Sequence, residues 1–164
     1  MTLTDDAFLG RDLDLGFVAD DEGRVFAHPY SRADLQPRPR PGVAPAAADL
    51  ATVHGRANLV QSLILRLKTE RGELAVLGHP GYGSLHHRLV GEPNTESTRG
   101  LIRLYVLECL RQEPRLERVA RIDVRPAPGR QHRDRVDIDL ELLIRQVPEP
   151  LILVVPFSLE GPLG

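Results

Sequence analysis

Apolar residues fall into two helical stripes followed by three strand-like runs. Over residues 58–72, NLVQSLILRLKTERG, Leu59, Val60, Leu63, Ile64 and Leu67 stand at i, i+1, i+4, i+5 and i+8, one face of an α-helix. Lys68 and Arg71 suit the negative end of that helix, and Gly72 suits the left-handed position beyond it. A second stripe over 95–114 places Leu101, Ile102, Tyr105, Val106, Cys109 and Leu110 on a buried face. Thr95 is its expected N-cap, Glu96 lies in the first turn, where its charge meets the positive helix end, and Pro114 is the expected stop. The stretch between the helices, 73–93, holds four glycines and two prolines and reads as a loop with a short apolar piece at either end.

The period then changes to two. Residues 117–125 alternate, with Val119, Ile122 and Val124 apolar and an irregularity expected at Ala120. Residues 135–144 alternate better, with Val136, Ile138, Leu140 and Leu142 on one side and Asp137, Asp139 and Glu141 on the other. Joined by the hairpin loop PAPGRQHRD, the two strands are expected to oppose Arg125 to Asp137 and Arg121 to Glu141. The same register sets Asp123 against Asp139, an unfavourable pair. A third run, 150–157, lacks alternation and is expected to be covered on both faces.

Residues 1–36 are acidic and poor in apolar groups, with a hairpin expected over 17–26. Residues 37–48, PRPRPGVAPAAA, are proline-rich, which excludes helix and central strand and predicts a semi-rigid connector. The expected organisation is an arm and connector at 1–48 and a domain at 49–164. The fold class is α+β: two main helices packed on a small, mostly antiparallel sheet, with an extended N-terminal arm.

Composition narrows the chemistry. A formal charge of −2 gives no general attraction to nucleic acid or to an anionic membrane. No apolar run approaches the ~20 residues of a spanning helix, so membrane insertion is not expected. No secretory leader pattern is visible, and the expected location is the cytoplasm, within an assembly. The single cysteine, Cys109, excludes an internal disulfide and lies on the apolar helix face, where a thiol is inert. His79, His86 and His87 cluster in the loop, but adjacent histidines make poor joint ligands; exposed imidazoles are expected, with no metal or cofactor. GHPGYG (78–83) lacks the ending of a phosphate loop, and neither Ser62 nor Ser84 sits in a nucleophile motif. Glu70, Glu73, Glu92 and Glu96 are the carboxylates considered for a glycosidase pair. The absence of Trp, with only three Tyr, argues against a sugar-binding cleft.

One residue has no helix-entry role. In LVGEPNTESTRG (89–100), Pro93, Thr95 and Glu96 are accounted for by helix punctuation and capping, and Glu92 is not. Local capping, or pairing with Arg88 or Arg99, is one reading; docking on a partner is the other.

The order of NLVQS (58–62), TERGE (69–73), the Pro80, Tyr82, Gly83 and Leu85 cluster, LVGEPNTESTR (89–99), a helix and an alternating hairpin resembles the gp25-like baseplate wedge family over about residues 57–145. That family belongs to contractile injection systems: phage tails, type VI secretion systems and phage-tail-like particles. The resemblance implies a structural subunit, in six copies, that links the wedge to the first sheath ring and initiates sheath assembly by β-strand augmentation. The implied partners are the sheath protein of the first ring, the larger wedge proteins and, as a further contact, the tube or hub. The strands offered for augmentation are 117–125, 135–144 and 150–157, with Val136, Asp137, Ile138, Asp139, Leu140 and Glu141, and Leu151, Ile152 and Leu153, as the contacting residues. The resemblance also assigns Glu92 and Pro93 to a Glu-Pro-Arg motif that docks on the helical core bundle of the larger wedge proteins. Asn94 stands where the motif has arginine, and Arg99 is the nearby residue able to supply a guanidinium. The family has also carried a lysozyme label, so a peptidoglycan-degrading hydrolase is the enzymatic alternative. An unrelated α+β adaptor is the third.

Overall fold

A computed structural model describes residues 8–16, 25–26, 37–39, 48–129 and 133–160. The elements are β1 (Arg11–Leu13), β2 (Val25–Phe26), β3 (Pro37–Pro39), β4 (Ala48–Leu50), β5 (Thr52–His54), α1 (Gly55–Lys68), α2 (Glu96–Leu110), β6 (Leu116–Pro126), β7 (Arg135–Ile144) and β8 (Leu151–Ser158). The main sheet has the order β2-β8-β7-β6 and is antiparallel except for the short β2–β8 pair. The α+β class with a mostly antiparallel sheet is therefore what forms.

Strand β7 alternates without a fault. Val136, Ile138, Leu140, Leu142 and Ile144 are buried, and the residues between them are half-exposed. These five side chains meet Leu59, Leu63, Ile64 and Leu67 of α1, Ile102, Val106, Cys109 and Leu110 of α2, and Leu151, Leu153, Val155 and Phe157 of β8 in one core. The expected β6–β7 register is present, including Arg125↔Asp137, Arg121↔Glu141 and Asp123↔Asp139, and it shifts between Val119 and Arg121, leaving Ala120 unpaired. The facing carboxylates are tolerated because arginines surround them. Arg125 reaches Asp139 at 2.8 Å, while Arg103, Arg121 and Arg125 approach Asp123 at 3.5, 3.7 and 3.8 Å.

Several expectations need correction. Helix α1 stops at Lys68, and Thr69 is its C-cap in extended conformation. Tertiary bonds pull the chain away there: Ser84 N–H donates to Thr69 O and Arg71 N–H to Ser84 O. Gly72 keeps its positive φ of 101° but serves the following turn. Helix α2 ends at Leu110, short of Pro114, and Leu101 is 42 % exposed, one step off the Ile102–Val106–Cys109 stripe. In β8, Leu153, Val154 and Val155 are all buried, but Ile152 is exposed, so covering on both faces is incomplete. The proline-rich segment is not a simple spacer, because β3 pairs with β4 as a two-stranded ribbon. Apart from residues 25–26, the hairpin expected at 17–26 lies outside the described residues.

The N-terminal segment lies against the domain. β1 pairs with β5, and Leu9 is part of the core. Buried polar groups of α1 hold it: Asn58 donates to Leu9 O, and Gln61 donates to Leu13 O and accepts from Leu15 N–H. Arg115 also donates to Leu9 O while bonding Glu113 at 2.6 Å. Burial alone would raise the Glu113 carboxyl, but the bonds and charge of Arg115 hold it below its ordinary value.

The loop between the helices is ordered by the same kind of contact. His86 is buried, with Nδ1 at 2.7 Å from Ser84 Oγ, and His87 Nε2 donates to Leu67 O at 2.8 Å. Both rings stand edge-on to Phe157. The expectation of exposed imidazoles is thus wrong for His86 and His87: they are structural. Gly83 is required here, since a Cβ would come within 2.5 Å of Thr69 O.

Two predictions follow from this packing. Gly83→Ala is expected to cost more than about 3 kcal/mol, whereas Gly91→Ala, with positive φ but open space, costs about 1–2 kcal/mol; urea denaturation separates them. Burial, then the neighbouring His87, pushes the His86 imidazole down to about 3. The unfolded chain binds that proton near the ordinary value, and the folded chain does not. Stability therefore holds above about pH 6.5 and falls as pH drops towards about 3, losing about 2 kcal/mol between about pH 7 and pH 5. His86→Asn should start less stable but show a flat profile over that window; an unchanged slope would contradict the assignment.

Candidate docking loop and sheet edge

The chain enters α2 through a tightly bonded turn. Gly91 N–H donates to Leu159 O at 2.7 Å and Glu92 N–H to Leu89 O at 3.1 Å. The Pro93 carbonyl accepts from Thr95 N–H and from Thr98 Oγ1, each at 2.8 Å. Thr95 is the N-cap, its Oγ1 accepting from Thr98 N–H at 3.2 Å. The side-chain cap is therefore made by Thr95, not by Glu92. Glu92 is exposed, and among the described residues its carboxylate has neither a hydrogen bond nor an ion pair.

Asn94 is used inside the fold. Its amide nitrogen donates to Arg133 O at 2.7 Å and, more weakly, to Arg135 O at 3.4 Å, tying the turn to the start of β7. Its amide oxygen accepts from Arg99 Nη1 at 2.8 Å, and its carbonyl accepts from the same nitrogen at 3.2 Å. The local pairing of Arg99 with Glu92 is therefore not what forms. Asn94 instead orients the half-buried Arg99, and Glu92 and Pro93 stand outermost.

The strand positions divide differently from the sequence expectation. β7 is interior, bonded to β6 on one side and β8 on the other. Val136, Asp137, Ile138, Asp139, Leu140 and Glu141 consequently have no open backbone edge, and Val136, Ile138 and Leu140 are also buried. Leu151 and Leu153 are buried in β8, whose outer side is met by β2 at Leu153 and Val154. The terminal strand of the sheet on the other side is β6. β6 covers 117–125, one of the three strands offered by the sequence, although none of its residues is singled out there. Register shifts near Glu117 and Ala120 break the strand's period, and the regular part runs from Arg121 to Pro126.

A groove of about 490 Å³ lies along this edge, lined by Glu96, Arg99, Gly100 and Arg103 of α2 and by Asp123, Val124 and Pro126 of β6. It begins beside the Asn94–Arg99 contact, so loop and edge are adjacent features. Cys109 contributes nothing reactive: it is fully buried, and burial pushes its thiol up to about 11. Glu70, Glu73 and Glu96 are exposed, Glu73 accepting from Glu70 N–H. No helix among the described residues is long and apolar enough to cross a membrane.

No curated protein matches the sequence. Among solved structures, one from Geobacter sulfurreducens, described as a candidate tail lysozyme, is 30 % identical with a TM-score of 0.53. The match covers 62 % of this chain and 88 % of that one. Residues 53–149 match the family described as baseplate wedge protein gp25. That span holds both helices, the Glu92–Asn94 turn and the β6–β7 hairpin, and the chain belongs to the gp25 baseplate wedge family.

Proposed function

We propose that this protein is a structural wedge subunit of a contractile injection particle that joins the larger wedge proteins to the first sheath ring. The observation that carries the proposal is the state of Glu92. A carboxylate held outside a helix whose N-cap is made by Thr95, with no partner among the described residues, is poised for an intermolecular contact. Glu92 and Pro93 dock on the core bundle of the larger wedge proteins. Arg99, oriented by Asn94, supplies the positive charge that a third-position arginine supplies in relatives. Asn94 itself acts as the clamp, not as the contact.

The β6 edge receives the sheath strand. An open edge is a liability that proteins blunt with bulges and charge, and β6 carries both, which suits an edge kept for one partner. On this reading the particle holds six copies, and the tube or hub is a neighbour. A hydrolase reading is weaker. The groove holds two carboxylates, Glu96 and Asp123, but no aromatic side chain lines it. The Asp123 carboxylate is already engaged by three arginine side chains, Arg103, Arg121 and Arg125.

Glu92→Ala is expected to leave the midpoint of thermal unfolding unchanged while reducing incorporation into wedge complexes by about tenfold or more. Thr95→Ala should do the reverse, lowering stability by about 1 kcal/mol with little effect on assembly beyond that. Equal loss of stability and assembly in Glu92→Ala would make it a local structural group. The purified protein is expected not to cleave peptidoglycan; hydrolysis abolished by Glu96→Gln would reverse that conclusion.

A further inference from the structure

The charge pattern along the β6 edge specifies what the incoming strand must carry. On the sheet face away from the core, β6 presents Arg118, Arg121, Asp123 and Arg125, while β7 answers on its inner side with Glu141, Asp139 and Asp137. On the outer side the same row meets no strand among the described residues. The Arg121 and Arg125 side chains are 70 % and 61 % exposed. Asp123 is already approached by three guanidiniums, one of them from Arg103, which reaches it from α2. The outward side of the β6 row thus sets two exposed guanidiniums, Arg121 and Arg125, beside one carboxylate, Asp123; Arg125 is also bonded to Asp139 at 2.8 Å, and the groove lining adds Glu96 as well as Arg99 and Arg103.

The usable length is also bounded. The register shift at Ala120 interrupts pairing on one side, and Pro126, which has no N–H to donate, interrupts it on the other. Arg121–Pro126 keep regular register with β7, which leaves Arg121–Arg125 usable on the outer side, with Ile122 and Val124 turned to the core face.

We infer that the segment that adds to this edge is a short acidic strand, with carboxylates opposite Arg121 and Arg125, a neutral or basic residue opposite Asp123, and apolar residues between. The inference rests on the augmentation reading above and adds the chemistry of the partner. Cross-strand charge pairs of this kind each contribute about 0.2–1 kcal/mol, so two of them set register and partner choice more than affinity.

Synthetic peptides with the core Glu-Val-Thr-Val-Glu, and its Lys-Val-Thr-Val-Lys and Gln-Val-Thr-Val-Gln counterparts, test it against the full-length protein. Affinity is read by NMR titration at millimolar peptide, and edge pairing by amide exchange of residues 121–125. The acidic peptide is expected to bind about tenfold more tightly than the basic one, to slow exchange along the edge, and to lose its advantage as salt rises. Arg121→Glu combined with Arg125→Glu should invert the preference. Arg121→Gln with Arg125→Gln, which avoids placing new acids beside Asp139, should abolish it. Edge protection with equal affinity for all three peptides would overturn the charge rule and leave the augmentation reading intact. Acid preference without edge protection, or no binding by any peptide, would overturn both.

Discussion

Strand β7 is bonded on both edges and buried on one face, and most of what the molecule offers to a partner follows from that. A strand with period-two alternation has only one register that keeps Val136, Ile138, Leu140, Leu142 and Ile144 inside. A slip of one residue would exchange them for Asp137, Asp139 and Glu141, so the register is strongly enforced. Once it is set, β6 and β8 take fixed places, α1 and α2 close the inner face, and the carboxylates of β7 must find arginines on the outer face. The arginines of β6 do so on one side. Their other side is left as the sheet's terminal edge.

The docking turn depends on the same frame. Gly91 is held by Leu159, which itself donates to Asp134, and Asn94 bonds the backbone at Arg133 and Arg135. The turn is therefore anchored to the end of β8 and the start of β7, not merely appended to a helix. Thr95, Thr98 and the Pro93 carbonyl satisfy one another, and among the described residues the Glu92 carboxylate is bonded to none of them. A charge presented on rigid backbone loses little conformational freedom on binding, which is the condition under which a single exposed carboxylate can matter in an interface.

Much of this was legible in the sequence, for identifiable reasons. The buried stripe of α1, the Thr95 cap, the β6–β7 register and the irregularity at Ala120 are local or nearest-neighbour properties, encoded by period and by residue type. What failed were features decided by distant segments. Helix α1 ends early because Ser84, in a later loop, captures Thr69 and Arg71. His86 and His87 are structural because Phe157, near the end of the chain, packs against them. The polar residues Asn58 and Gln61 sit in a helical stripe without an evident role until β1 folds back onto them. At the candidate site, the importance of Glu92 was visible as a residue left unexplained. The internal task of Asn94 was not, nor was which of the three candidate strands keeps the open edge, since both depend on which strands become neighbours.

The central claim is that the turn at Glu92 and Pro93 is a docking surface held ready by the fold. Electron cryo-microscopy of a contractile particle containing this chain tests it most directly. The account predicts Glu92 and Pro93 against a helical bundle of a neighbouring wedge protein, with the Glu92 carboxylate within hydrogen-bonding distance of a donor on that bundle. A particle in which the turn faces solvent, with the chain held by other surfaces, would contradict it.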